Sequence, residues 1–197
     1  DPSMQFAWSP LLIGTNCMGD VLLTKRYFGA MNNSVHDYGM DFKQTFDKGF
    51  IMAGYRLDAK VSKTYEDAGF LLKTDSLGNQ QWAVMLGETQ KNEESYGVIQ
   101  TNDSGYVAAG YNRVSATDQN FFICKVDKNG NFLWSKSVGG IKSEFARSIV
   151  ETANGNIVVV GSTTTFINSQ FGVAIYVVQL DQAGNLLCAR SFPAANS

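Results

Sequence analysis

The chain has 197 residues, 44% of them apolar, with 16 Lys and Arg against 18 Asp and Glu for a formal net charge of -2. That length and composition suffice to bury a core, and no basic stripe exists to neutralise a run of phosphates, so nucleic acid is not an expected partner. No apolar run reaches membrane-spanning length, because even Ile157 to Val160 is cut off by Gly161, and no basic and apolar leader is read at the start.

In chain order, Met4 to Trp8 reads as a degenerate strand joined through Ser9-Pro10 to a first hairpin near 11–28, in which Leu12 to Thr15 and Val21 to Lys25 flank the turn Asn16-Cys-Met-Gly19-Asp20. An approach strand ending in Gln44-Thr45 and an apolar strand from Gly49 to Tyr55 follow, then a loop from Arg56 to Asp67. The second hairpin, near 70–86, carries the turn Asp75-Ser-Leu-Gly78-Asn79. A second approach strand ends at Gln100-Thr101, and Gly105 to Tyr111 is again apolar before a loop from Asn112 to Asn120. The third hairpin, near 121–138, turns at Asp127-Lys-Asn-Gly130-Asn131. Glu151-Thr152, the apolar run Asn156 to Gly161 and a loop from Ser162 to Gly172 lead to the last hairpin, near 175–192, which turns at Asp181-Gln-Ala-Gly184-Asn185.

Each turn opens with Asp or Asn, whose side chain bonds nearby backbone N–H groups, and closes with Gly in the left-handed region. The turn glycines stand 59, 52 and 54 residues apart, which is the period of a repeat and not of isolated hairpins. The continuously apolar strands between hairpins predict burial on both faces, with Ala and Gly at their far ends where neighbouring sheets crowd together. Four short antiparallel strands per unit of about fifty residues, with no useful helical period, predict an all-β protein, a single β-propeller over residues 1–197. A β-sandwich is the alternative, though it gives no reason for the constant period.

Residues Asp127-Lys-Asn-Gly-Asn-Phe-Leu-Trp-Ser-Lys-Ser-Val-Gly-Gly140, with Arg147-Ser-Ile-Val-Glu-Thr152 and Gly155-Asn-Ile-Val-Val-Val-Gly161, resemble the propeller-type repeat D-x-x-G-N-x-x-W-x-K … D-G-G-Y-I-V-A-G of many secreted or surface-exposed microbial and protist proteins. The resemblance covers nearly the whole chain and implies fold more than function, since the matching positions are structural. The outer copies depart from it: Leu23 and Cys188 hold the Trp slot, and Phe28-Gly29 and Pro193-Ala194 replace Gly-Gly, as terminal repeats are expected to drift. Four hairpins and three inner pairs give fourteen strands, about 3.5 blades, or four if Met4 to Trp8 helps close a ring.

Function is far less legible. His36, the single histidine, sits beside Asp37 but without a nucleophile motif. The run Asp127 to Asn131 lacks the further oxygen ligands of a calcium loop, so neither a catalytic residue, a metal site nor a cofactor is expected. Trp82 and Trp134 are read as packing residues, because apolar Leu23 and Cys188 replace them in the other copies. Three widely spaced cysteines, Cys17, Cys124 and Cys188, form neither a complete disulfide framework nor a CxxC motif.

The unequal loops on one end of the scaffold are the expected functional surface, with Tyr65, Arg113 and Phe166 as candidate binding residues. The resulting expectation is a non-enzymatic, extracellular or cell-surface module that binds a protein partner or self-associates through terminal blades. A lectin-like or glycan-active protein is the alternative. Asn32 and Asn102 open Asn-x-Ser sequons, which suit that location.

Overall fold

A computed structural model describes residues 8–28, 35–58, 66–87, 92–166 and 172–193. Fourteen strands are found among them: β1 (Leu11–Thr15), β2 (Val21–Arg26), β3 (Val35–Gln44), β4 (Phe50–Asp58), β5 (Glu66–Thr74), β6 (Gln80–Met85), β7 (Glu93–Gln100), β8 (Tyr106–Ser115), β9 (Asp118–Val126), β10 (Phe132–Val138), β11 (Glu144–Glu151), β12 (Ile157–Thr163), β13 (Ala174–Leu180) and β14 (Leu186–Pro193). The protein is all-β. β1 and β2 make a two-stranded sheet, and β3–β6, β7–β10 and β11–β14 make three antiparallel four-stranded meanders. Of the degenerate strand expected over Met4 to Trp8, residues 4–7 lie outside the described residues, and Trp8 belongs to no strand.

Each of the four hairpin turns is closed by its opening Asp or Asn. Asp127 Oδ1 accepts from the backbone N–H groups of Asn129 and Asn131, both at 2.8 Å, while its Oδ2 accepts from the Asn131 side chain. Asp75 and Asp181 repeat the pattern, whereas Asn16 Oδ1 accepts from the Met18 and Asp20 N–H groups while its Nδ2 donates to the Asp20 carboxylate at 2.8 Å. Gly130 and Gly184 take φ of +85° and +81°. Their missing Cβ also makes room for the next ring, since a Cβ would meet Trp82 at 2.9 Å and Trp134 at 2.7 Å. Those two indoles donate Nε1–H to Lys128 O and Gln182 O, both at 3.2 Å, and Tyr27 OH donates to Gly78 O at 2.7 Å. β6, β10 and, through the adjoining Tyr27, β2 are thereby pinned to the hairpin turn of the sheet that follows.

β8 from Tyr106 to Gly110 and β9 from Phe121 to Val126 are buried throughout. Their side chains divide between two cores. Tyr106, Ala108, Phe122 and Cys124 pack toward the preceding sheet on Ile51, Ala53 and Leu71. Val107, Ala109, Phe121 and Ile123 pack toward the following one on Ile157, Val159, Tyr176 and Val178. The continuously apolar strand is the second of its sheet, and the approach strand fills the junction between sheets: β7 lies on β3, β4 and β5, and β11 on β7, β8 and β9.

The glycines at the ends of the apolar strands have a different cause from the expected crowding of neighbouring sheets. β3, β7 and β11 each carry a bulge, at Met40, Tyr96 and Arg147, opposite Gly54, Gly110 and Gly161. A Cβ on these glycines would meet a backbone carbonyl oxygen of the neighbouring strand in the same sheet, Tyr38 at 1.9 Å, Glu94 at 1.7 Å and Phe145 at 1.9 Å. The bulge, which bends the strand and re-aims one side chain, has glycine as its required partner.

The tight turns before β4 and β8 close on Thr-x-Asp. Asp47 and Asp103 accept from the Gly49 and Gly105 N–H groups and pair with the buried lysines Lys73 and Lys125 of the third strand, at 2.9 and 2.6 Å. Lys48 and Ser104 adopt φ of +66° and +68°, where the third copy places Gly155. Lys48→Gly is therefore expected to stabilise the chain by about 0.5 to 1 kcal/mol, the left-handed strain it relieves outweighing the added freedom of the unfolded chain. Urea unfolding of the two proteins checks the sign.

Candidate functional site

The bulge of β7 lies at the centre of an aromatic cluster on the loop-facing end of the first two strands of each sheet. Tyr38 stacks on Tyr55 with ring centroids 4.9 Å apart, Tyr55 leads to Tyr96 at 6.2 Å, Tyr96 stacks on Tyr111 at 5.9 Å, and Tyr111 meets Phe145 edge-on at 5.0 Å. Arg147, the bulged residue of β11, lays its guanidinium over Tyr96 at 4.9 Å. All four tyrosines are half-buried, whereas Arg147 is exposed. Part of the ring surface thus remains open beside a cation.

Beneath the rings lie two carboxylates. Glu94 accepts from Tyr96 OH at 2.6 Å and from Tyr111 OH. Burial first, and the bonded Glu94 carboxylate second, push both phenols above their ordinary range, so they stay protonated at neutral pH. Asp67 is buried and its Oδ1 has no hydrogen-bond partner. Desolvation, followed by the adjacent Glu94, pushes its carboxyl up to about 7, with the Arg113 guanidinium working the other way. Asn92 ties the strands together, its side-chain oxygen accepting from Asp67 N at 3.1 Å and its carbonyl from Arg113 N at 2.9 Å.

The Asp67 carboxyl binds a proton more tightly in the folded chain than in the unfolded one. Its contribution to stability is therefore full below about pH 4 and declines as pH rises toward about 7. Asp67→Asn is expected to match the parent near pH 4 and to melt higher above pH 7, flattening the profile between. Parallel melting curves for the two proteins would show that Asp67 ionises freely.

The structure brings Arg113 to this cluster, on the end of β8 and not in a loop, because β8 and β9 run on to a short turn at 116–117. Phe166 is 40% exposed and stacks on Tyr176 at 5.3 Å, within the last sheet. Tyr65 lies outside the described residues. The tyrosine cluster itself was missed by sequence reasoning, although the pairs Tyr38-Gly39, Gly54-Tyr55, Tyr96-Gly97 and Gly110-Tyr111 repeat it in plain view.

The other candidates have structural employment. Asp37 takes Arg56 Nε at 2.6 Å, whereas His36 Nδ1 accepts from the Trp8 backbone N–H at 3.2 Å. The oxygens of Asp127 are spent on its own turn, and the described residues hold no group of three or more His, Cys, Asp or Glu placed to bind a metal. Cys17, Cys124 and Cys188 are free, and burial, reinforced by Glu93, pushes the Cys124 thiol up to about 12. Asn102 is exposed, while Asn32 lies outside the described residues.

No protein-family model matches the chain. No curated protein matches it either. Among solved structures it is similar to a protein of unknown function from Dyadobacter fermentans, at 13% identity with a TM-score of 0.59 over 88% of this chain. The chain spans 55% of that protein's length. The likeness is one of fold alone.

Proposed function

We propose that the chain is a run of β-propeller blades that works as a non-enzymatic binding or assembly module at the cell surface or outside the cell. The observation that carries this reading is the bare face of the last sheet. In β8 the residues facing the following sheet, Val107 and Ala109, are 0% and 1% exposed. Their counterparts in the last sheet include Val160 at 36%, and on β13 Ile175, opposite Ser162, is 55% exposed. A regular apolar sheet face of this kind marks an interaction surface, and a unit repeated along one chain offers it to a further sheet of the same type. The exposed sequon at Asn102 suits an extracellular setting.

Sedimentation from about 1 to about 100 μM tests the reading, because association must follow mass action. Concentration-dependent growth in mass that Ile175→Lys abolishes is the expected result. A monomer at every concentration, unchanged by that substitution and with no partner in the native sample, would overturn it.

A carbohydrate-binding reading has its own support in the open faces of Tyr38, Tyr55, Tyr96 and Tyr111 beside Arg147. Sugar rings stack on such faces through their C–H edges. Glycan-array binding lost in Tyr96→Ala, with the fold intact, would favour it over assembly.

A further inference from the structure

The three bulges present a different residue from each sheet on one backbone plan. Across the strand the glycine is constant, as Gly54, Gly110 and Gly161, whereas the extruded position holds Met40, Tyr96 and Arg147. A bulge re-aims the side chain it extrudes, and β7 packs against both β3 and β11. Tyr96 and Arg147 therefore meet at the aromatic cluster.

Arg147 is held there by its faces. Its guanidinium lies 4.9 Å from the centroid of Tyr96 and 5.7 Å from that of Phe145. Among the described residues none of its N–H groups has a hydrogen-bond partner. Stacking uses the plane of a guanidinium and leaves its edge open, and that edge is the one that takes a carboxylate through two parallel bonds. The stack also orders the side chain in advance, which lowers the cost of binding.

Charge is sorted by depth around this arginine. Asp67 and Glu94 are each 7% exposed, and Glu94 is bonded to the Tyr96 and Tyr111 hydroxyls. Arg113 and Arg147 are exposed. The face turned to solvent is thus aromatic and cationic, so an anion suits it, and a cation would compete with Arg147 for the ring of Tyr96. The hydroxyls of Tyr38 and Tyr55, unlike those of Tyr96 and Tyr111, have no hydrogen-bond partner among the described residues. They remain available to the hydroxyl groups of a ligand.

We propose that this surface binds acidic sugars, pyranose rings bearing a carboxylate, with the ring stacked on the tyrosines and the carboxylate held by the edge of Arg147. The proposal rests on the carbohydrate-binding reading and adds the class of sugar. Stacking alone is tolerant of ring identity, whereas the arginine edge selects the charged substituent.

The test is calorimetric binding to the full chain of short galacturonate, glucuronate and mannuronate oligosaccharides, each beside its carboxyl methyl ester. Esterification keeps the ring and its stereochemistry and removes the charge. At least one uronate is expected to bind about tenfold or more tightly than its ester, and added salt to narrow that difference. Arg147→Gln, a change at an exposed side chain, is expected to bring the uronate down to the level of the ester without moving the unfolding curve. Equal affinity of every uronate and its ester, uronate binding that survives Arg147→Gln, or equal binding of an oligoglutamate of the same charge would each overturn the proposal. Neutral glycans that bind through Tyr96 while uronates gain nothing would defeat this proposal and leave the carbohydrate reading standing. Binding by no glycan at all would defeat both.

Discussion

Gly110→Ala is expected to be among the most damaging single-methyl changes in the chain, costing about 4 kcal/mol or more, in the range reserved for backbone conflict. The new Cβ would stand 1.7 Å from Glu94 O and 2.9 Å from Ser95 Cα. Neither is the mobile end of a side chain. Relief requires the β7 bulge to move, but Ser95 is fully buried and Glu94 is held by two tyrosine hydroxyls. The adjacent Ala109→Gly, at a position with no such carbonyl, is expected to cost only about 1 kcal/mol through strand propensity. Urea unfolding compares the two, and similar midpoints would show that the bulge yields. Because the bulge also aims Tyr96 into the aromatic cluster, Gly110→Ala should disturb the near-ultraviolet tyrosine signal of whatever fraction stays folded.

The part of this architecture that was legible in the sequence is the part written in local chemistry. Asp75, Asp127 and Asp181 bond their own turns through the same atoms, so a repeated Asp-x-x-Gly-Asn reports a repeated hairpin without reference to the rest of the chain. The four hairpins and three inner pairs follow from it. Bulges are not local in this sense: Tyr96 is extruded because of what lies across the strand, and only the glycine opposite leaves a trace. The Gly-Gly after the third hairpin is likewise a long-range signal, since a Cβ on Gly139 would meet the Glu144 carboxylate at 2.3 Å and Gly140 N donates to that carboxylate at 2.8 Å. Asp37 paired with Arg56 instead of its neighbour His36 because β3 and β4 place them opposite one another. The acid pair Asp67 and Glu94 joins residues of two sheets, a juxtaposition that no spacing along the chain encodes.

Gly130→Val is expected to cost about 3 to 5 kcal/mol, as the sum of two separable conflicts. The first is conformational, because φ at +85° is poorly accessible to a β-branched residue. The second is steric, because the Cβ would stand 2.9 Å from the Trp82 ring, which is also held by its Nε1–H bond to Lys128 O. Lys128→Ala keeps that carbonyl and loses only an exposed side chain, so it should be nearly neutral. The Trp82→Ala background separates the two costs. There the ring is gone, and Gly130→Val should carry only the conformational part, about 1 to 2 kcal/mol. Equal penalties in both backgrounds would assign the whole effect to the turn and deny the ring any part in closing one sheet on the next. A smaller penalty without Trp82 would show that a single glycine serves both the turn and the contact between sheets.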